Sequence, residues 1–409
     1  MIQSPLARLL PGTSAPVKTT PERLLRSSLC ALLLLAPAAN AAAADPGQDF
    51  TREAKLLFRV VACAGGEPVP AELVAVVESH CKALRPLIAL YRDKYVTGAQ
   101  PFLDSLQPRG LPTTVVYPFG GGDLLSALTT YKGLREVTTL SLEHAGDPRR
   151  IVGIDAARLE DSLLRVRRGV SGLLALDNST SEAMIQLQRG EIPGQLAFFL
   201  IALAVHGQEP VGLRYFRLHS EGTLDYLSQK RIAELEGEKA LQLNTVWKSP
   251  DFSVAFSNSE LEFRPAGSNE PARVHRHIAA NLMDGPLAKD PRVIKHLEAK
   301  GPVAALTKAA SYTLWSKSFS RVRNYLLKHM EFMISDSTGI PPRHAAPAGF
   351  VQETYGTFDG PFLEANTKDS EDFCALWAGQ PKRELKFRYG YVDVLRQNHL
   401  LVTRRAAKP

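Results

Sequence analysis

The stretch LPTTVVYPFGGGDLLSALTTYKGLREVTTLSLEH, Leu111 to His144, constrains the fold of this chain most. It reads as strand, glycine loop, short helix and second strand within the length of one βαβ unit. Val115, Val116 and Tyr117 are β-formers in an apolar run, and Pro118 cannot donate to a sheet ladder, so the first strand ends there. Gly120, Gly121 and Gly122 turn the chain, Asp123 is a good N-cap, and Leu124, Leu125, Leu128 and Tyr131 recur at helical spacing before Gly133. Glu136 to Leu142 then reads as a second strand, and a short helix between two strands makes them parallel. Ligands of parallel sheets bind beyond the carboxyl ends of the strands, which is where Gly120, Gly121 and Gly122 would place backbone N–H groups.

These residues resemble the first motif of Rossmann-like methyltransferases and, more loosely, of dinucleotide-binding folds. Glu143 follows the second strand, where such folds hold ribose hydroxyls. The match spans some thirty residues of 409, and the position three after Gly122 is Leu125 where a dinucleotide fingerprint has glycine. The resemblance implies a nucleotide ligand. A glycine loop needed only for a tight turn is the alternative reading of the same residues.

Residues 23 to 45 read as a secretory signal. Arg23 and Arg26 precede the apolar run Leu29 to Pro37, and small residues offer cleavage after Ala41 or Ala44. The expected compartment is periplasmic or extracellular, where nucleotide cofactors are scarce, and the cofactor stays unknown. Removing residues 1–44 lowers the formal charge from +7 to +4, and no Lys/Arg run is interleaved with aromatics as nucleic-acid binding would require. The remaining cysteines are Cys63, Cys81 and Cys374. The near pair can bridge two N-terminal helices in an oxidising compartment, leaving Cys374 unpaired, and the three make no zinc pattern.

After the leader, Phe50 to about Leu106 is apolar at helical spacing, giving an N-terminal helical segment over 45–110 and an α/β domain over 111–409, with a possible sub-boundary near 210. Further helices are expected near Ala156–Arg168, Ser181–Arg189 and Gln195–Val205; the last is apolar all round yet only eleven residues long, a core helix and not a membrane span. VGLRYFRL, DFSVAFSN, ELEFRP and RVHRHIAAN alternate as strands. Helical spacing returns at Val293–Ala299, Pro302–Leu314 and Ser318–His329, MEFMISD reads as a strand, and RELKFRYGYV with HLLVTRR reads as a C-terminal hairpin. The fold class is therefore α/β: a mixed, partly parallel Rossmann-like sheet flanked by helices, with an N-terminal helical segment and antiparallel C-terminal strands.

Other residues carry possible chemistry. Asp336-Ser337-Thr338-Gly339 follows a strand, so its carboxylate and hydroxyls can face the crevice of Gly120 to Asp123; Asx and Ser turns are the structural alternative. His275 and His277 share one face of a strand, read as a polar face beside Arg273 and Arg276 in preference to a metal site. Lys308 and Ser311 would lie one helical turn apart as a Ser/Lys pair. His144 leads into Ala145-Gly146-Asp147-Pro148-Arg149-Arg150, a charged turn that could bind an acidic substrate. If these regions converge, the acid/base candidates are Asp123, Glu143, His144 and Asp336, and the ligand-binding candidates are Gly120, Gly121, Gly122, Ser337 and Thr338, with Arg149 or Arg150 as anion clamp.

The whole-chain pattern of signal, YPFGGGD, SLE, TKAASY and ISDSTGIPP is similar to that of exported bacterial proteins, a resemblance that implies a compartment and no activity. Two functions are carried forward. One is an exported protein that binds a polar or anionic small ligand at the glycine-loop crevice without turnover, with a macromolecular partner in the envelope possible. The other is an exported hydrolase using carboxylate or histidine chemistry there, with a methyltransferase-like enzyme as a variant.

Overall fold

The computed structural model describes residues 46–174, 191–192, 194–240, 253–361, 367–390 and 397–406. The expected signal and the expected helix at Ser181–Arg189 lie outside the described residues.

Ten strands form one sheet: β1 (Thr114–Pro118), β2 (Glu136–Ser141), β3 (Gln208–Leu218), β4 (Leu224–Tyr226), β5 (Ser259–Pro265), β6 (Arg273–Ala279), β7 (Val303–Thr307), β8 (Met330–Ser335), β9 (Phe350–Gly356) and β10 (His399–Arg405). Their order is β4-β3-β5-β6-β2-β1-β7-β8-β10-β9. β6, β2, β1, β7 and β8 are mutually parallel, and antiparallel strands extend both edges. Counted along the chain, the parallel block runs 3-2-1-4-5, so growth of the sheet reverses between β1 and β7.

Strand periodicity explains how the block is buried. β1 sends Val115 and Tyr117 to one face and Val116 to the other; β7 divides Ala304 and Leu306 from Val303 and Ala305 in the same way. The first face is covered by α1 (Thr51–Val61), α2 (Val74–Tyr91), α3 (Thr97–Leu106), α4 (Leu124–Thr130), α5 (Ala156–Leu174) and α6 (Gly194–Val205). After α7 (Gln229–Glu234), the second face is covered by α8 (Asp284–Lys289), α9 (Arg292–Glu298) and α10 (Ser320–His329). α11 (Pro342–Ala345) and α12 (Thr367–Ala378) follow, and Phe373 of α12 packs with Trp315, Phe358 and Leu401 in a third, smaller cluster. Among the described residues no helix is long and apolar enough to cross a membrane.

The βαβ reading agrees with β1, α4 and β2 in type and direction, and Cys63 is disulfide-bonded to Cys81 while Cys374 is a free, half-buried thiol. Three expectations are corrected. Pro302–Leu314 is not a helix: it contains β7 and a loop, because a strand buried on both faces is uniformly apolar and loses the alternation that marks strands. The part of DFSVAFSN that is described forms a 3₁₀ turn at Val254–Phe256, opened by Ser253 accepting the Ala255 N–H. β10 does not pair with RELKFRYGYV; it lies between β8 and β9.

Candidate functional site

The loop after β1 is built tightly. Gly120 donates its N–H to the Leu140 carbonyl at 3.2 Å, tying the loop to β2, and a Cβ on Gly120 would stand 2.7 Å from the Tyr117 ring. Phe119 and Gly121 both adopt left-handed backbone, φ 62° and 52°, and open space adjoins Gly121. Asp123 caps α4 by accepting the Ser126 N–H at 3.0 Å, and its other oxygen accepts the Tyr117 hydroxyl at 2.9 Å.

Across the switch point, the loop after β7 is strained: Ala309, Ser311 and Tyr312 have φ of 51°, 49° and 53°. Asp336, fully buried after β8, holds it in place. One carboxylate oxygen accepts the Ala309 N–H at 2.8 Å, and the other accepts the Thr338 N–H at 2.8 Å together with the Thr338 hydroxyl. The Thr338 hydroxyl in turn accepts the Ala310 N–H at 3.2 Å. Ser337 Oγ lies 2.9 Å from His399 Nε2 at the start of β10, and the Ser337 carbonyl accepts Trp315 Nε1–H at 2.9 Å. Burial pushes the His399 imidazole down to about 4, against the pull of the nearby Asp336.

Lys308 bridges the two sides. Its buried ammonium donates to Ser126 Oγ of α4 at 3.0 Å and lies 5.3 Å and 5.7 Å from the ring centres of Tyr389 and Tyr95. Burial holds the Tyr117 and Tyr389 phenols neutral well above their ordinary range, and both feel Asp123 and Asp336 as neighbouring negative charges. Asp123 and Asp336 therefore share one neighbourhood. Lys308 and Ser311 do not form the expected helical pair, since the segment is an irregular loop.

The other expected residues gather at the end of β2. Glu143 is half-buried there, its carboxyl pushed up by burial, and Ser141 Oγ accepts the Glu143 N–H at 3.2 Å. His144 is buried beside it. Arg149 is committed elsewhere: it pairs with Asp147 at 2.7 Å and Glu236 at 2.9 Å and lies over the Phe256 ring, so the anion-clamp role does not fall to it. Asp123 and Lys308 thus meet at Ser126, Asp336 holds the loop that follows Lys308, and Glu143 and His144 follow β2. Tyr95, Tyr389 and His399 went unread in the sequence, and RYGYV carried only a strand signal.

His275 and His277 do share a face, but it is buried under α6 against Phe199, not a solvated one; Arg276 points to Glu136 and Glu260. The Glu143 carbonyl, 2.8 Å from His277 Nε2, requires that nitrogen to carry the proton. His277 Nδ1 then accepts the Thr139 hydroxyl at 3.0 Å, and Thr139 Oγ1 accepts His275 Nε2–H at 2.9 Å. Burial accordingly lowers His277 to about 4 and His275 well below its usual value. Among the described residues no group of three His, Cys, Asp or Glu side chains could hold a metal ion. Compared with known proteins, the chain matches no family model, no curated protein and no solved structure.

Proposed function

We propose that this protein is exported and binds a polar, hydroxyl-bearing small ligand, of sugar or nucleoside type, beside Gly121 and Glu143 without turning it over. The observation that carries the reading is the glycine loop at the end of β1, hydrogen-bonded to β2 and next to an acid, at the reversal point of a 3-2-1-4-5 parallel block. This strand order also supports the Rossmann-like reading. Glu143 offers a carboxyl acceptor, whereas the Arg149 cation is already neutralised, which favours hydroxyls over an anion. Binding is favoured over catalysis because both carboxylates are already occupied, Asp123 by the Tyr117 hydroxyl and the Ser126 N–H and Asp336 by the N–H groups of Ala309 and Thr338. The Cys63–Cys81 disulfide supports an oxidising compartment.

A thermal-shift screen of nucleosides, S-adenosylmethionine and free sugars tests the reading. Ligand at a hundred times its dissociation constant adds about 2.7 kcal/mol, and Glu143→Gln and Gly121→Val should each abolish the shift. A hit that survives both substitutions sinks the proposal. The Ser337–His399 contact favours a second reading, hydrolysis, which requires that a fluorophosphonate label Ser337 and that His399→Ala prevent it.

A further inference from the structure

Beside His144, at the ends of β3 and β6, lies a cleft of about 340 Å³, within the range of small-ligand sites. Its apolar wall is formed by Leu218, Ile278, Leu287 and Val293. Two features of its polar lining stand out. Ser257 is 8% exposed, and its hydroxyl has no hydrogen-bond partner among the described residues. Its backbone is fixed at both ends, the N–H donating to the Val254 carbonyl and the carbonyl accepting from the Ala145 N–H, so the residue is held on the cleft wall. A buried hydroxyl without a partner costs stability unless something enters to meet it.

The second feature is charge. Arg292 on the cleft wall is neutralised by Asp290 at 2.5 Å, whereas among the described residues the carboxylate paired with Arg217 is Glu238 at 3.8 Å, with the arginine half-buried and the glutamate exposed. A pair that long and that exposed contributes little, so the Arg217 charge is available to a ligand. His144 is the remaining titratable group on the wall. We propose that this cleft binds a small carboxylate with an apolar body, such as a short acyl or aromatic acid. Arg217 holds the carboxylate, Ser257 supplies a buried donor, and the body packs against the apolar wall. The proposal is independent of the glycine-loop reading, since Arg217→Gln alters only this cleft and Gly121→Val only the loop.

The test titrates the full-length protein with benzoate and hexanoate, using benzamide and hexanamide as uncharged counterparts, by ligand-observed NMR. The acids should bind at least about tenfold more tightly than the amides, and Arg217→Gln should weaken the acids by a similar factor. Ser257→Ala should weaken them several-fold. Equal binding of acids and amides to the unmodified protein overturns the proposal, and that comparison needs no variant to fold. So does undiminished binding in Arg217→Gln, or no binding at about 10 mM, where ligands of this size bind even at low efficiency.

Discussion

Three donors, from the loops after β7 and β8, converge on the buried carboxylate of Asp336. An amide has one acceptor oxygen. Wherever the Nδ2 of an asparagine were placed, it would face a backbone N–H of Ala309 or of Thr338, leaving a buried donor unmet. Asp336→Asn should therefore cost about 1–3 kcal/mol in urea denaturation, even though size and shape are preserved. It should also release Ala309 from its left-handed backbone, since the bond that holds that N–H is the one most exposed to the exchange. Stability equal to that of the unmodified chain would mean that the strained loop is held by packing alone.

At the scale of elements, the disulfide joins the residue after α1's C-cap to the middle of α2, a separation of 18 residues. Closing a loop of that length restricts the unfolded chain, and the double substitution Cys63→Ser, Cys81→Ser should cost about 3 kcal/mol. The reduced chain should give the same loss, with Cys374 contributing nothing. An unchanged urea midpoint would show that α1 and α2 are held by core packing, which is the rival account, since both helices bury apolar faces. Element type was legible where turn residues punctuate the pattern, as Pro118, the three glycines and Gly133 do around β1, α4 and β2, and where apolar spacing is helical, as in α1 and α2. It failed at β7, whose VAALT faces apolar neighbours on both sides and so reads like a stretch of helix. That error hid the site's cation, because Lys308 reaches α4 only when the chain leaves a central strand beside β1. Partners distant in sequence, such as Asp336 with Ala309 or Ser337 with His399, follow from sheet order, which no local pattern encodes.

For the whole molecule, the decisive charge effect is a set of buried neutral histidines. His80, His206, His277, His296 and His399 are each lowered from 6.5 to about 4, and His275 lies well below its usual value, with burial the largest cause in every case. An imidazole whose folded value is depressed contributes stability that is complete above 6.5. That stability is lost as pH falls toward 4, because only the unfolded chain takes up the proton in that window. Each group at about 4 is worth roughly 3 kcal/mol across it, and the set together rivals the whole stability of an ordinary domain. Glu136, held below the usual carboxylate range by Lys300 and Arg276 against its own burial, adds to the loss on acidification. Glu143, raised by burial, offsets part of it. Unfolding near pH 5 should take up about five protons, so stability should fall by roughly 7 kcal/mol per pH unit there. The sharpest test is His80→Gln, since a glutamine amide can keep donating to the Val61 carbonyl as His80 Nε2 does at 2.9 Å. Urea midpoints measured from pH 4 to 8 should then show a slope shallower by about one proton with little change at pH 8. An unchanged slope would mean that His80 binds protons equally in both states, and that the acid sensitivity of this fold arises from the other histidines.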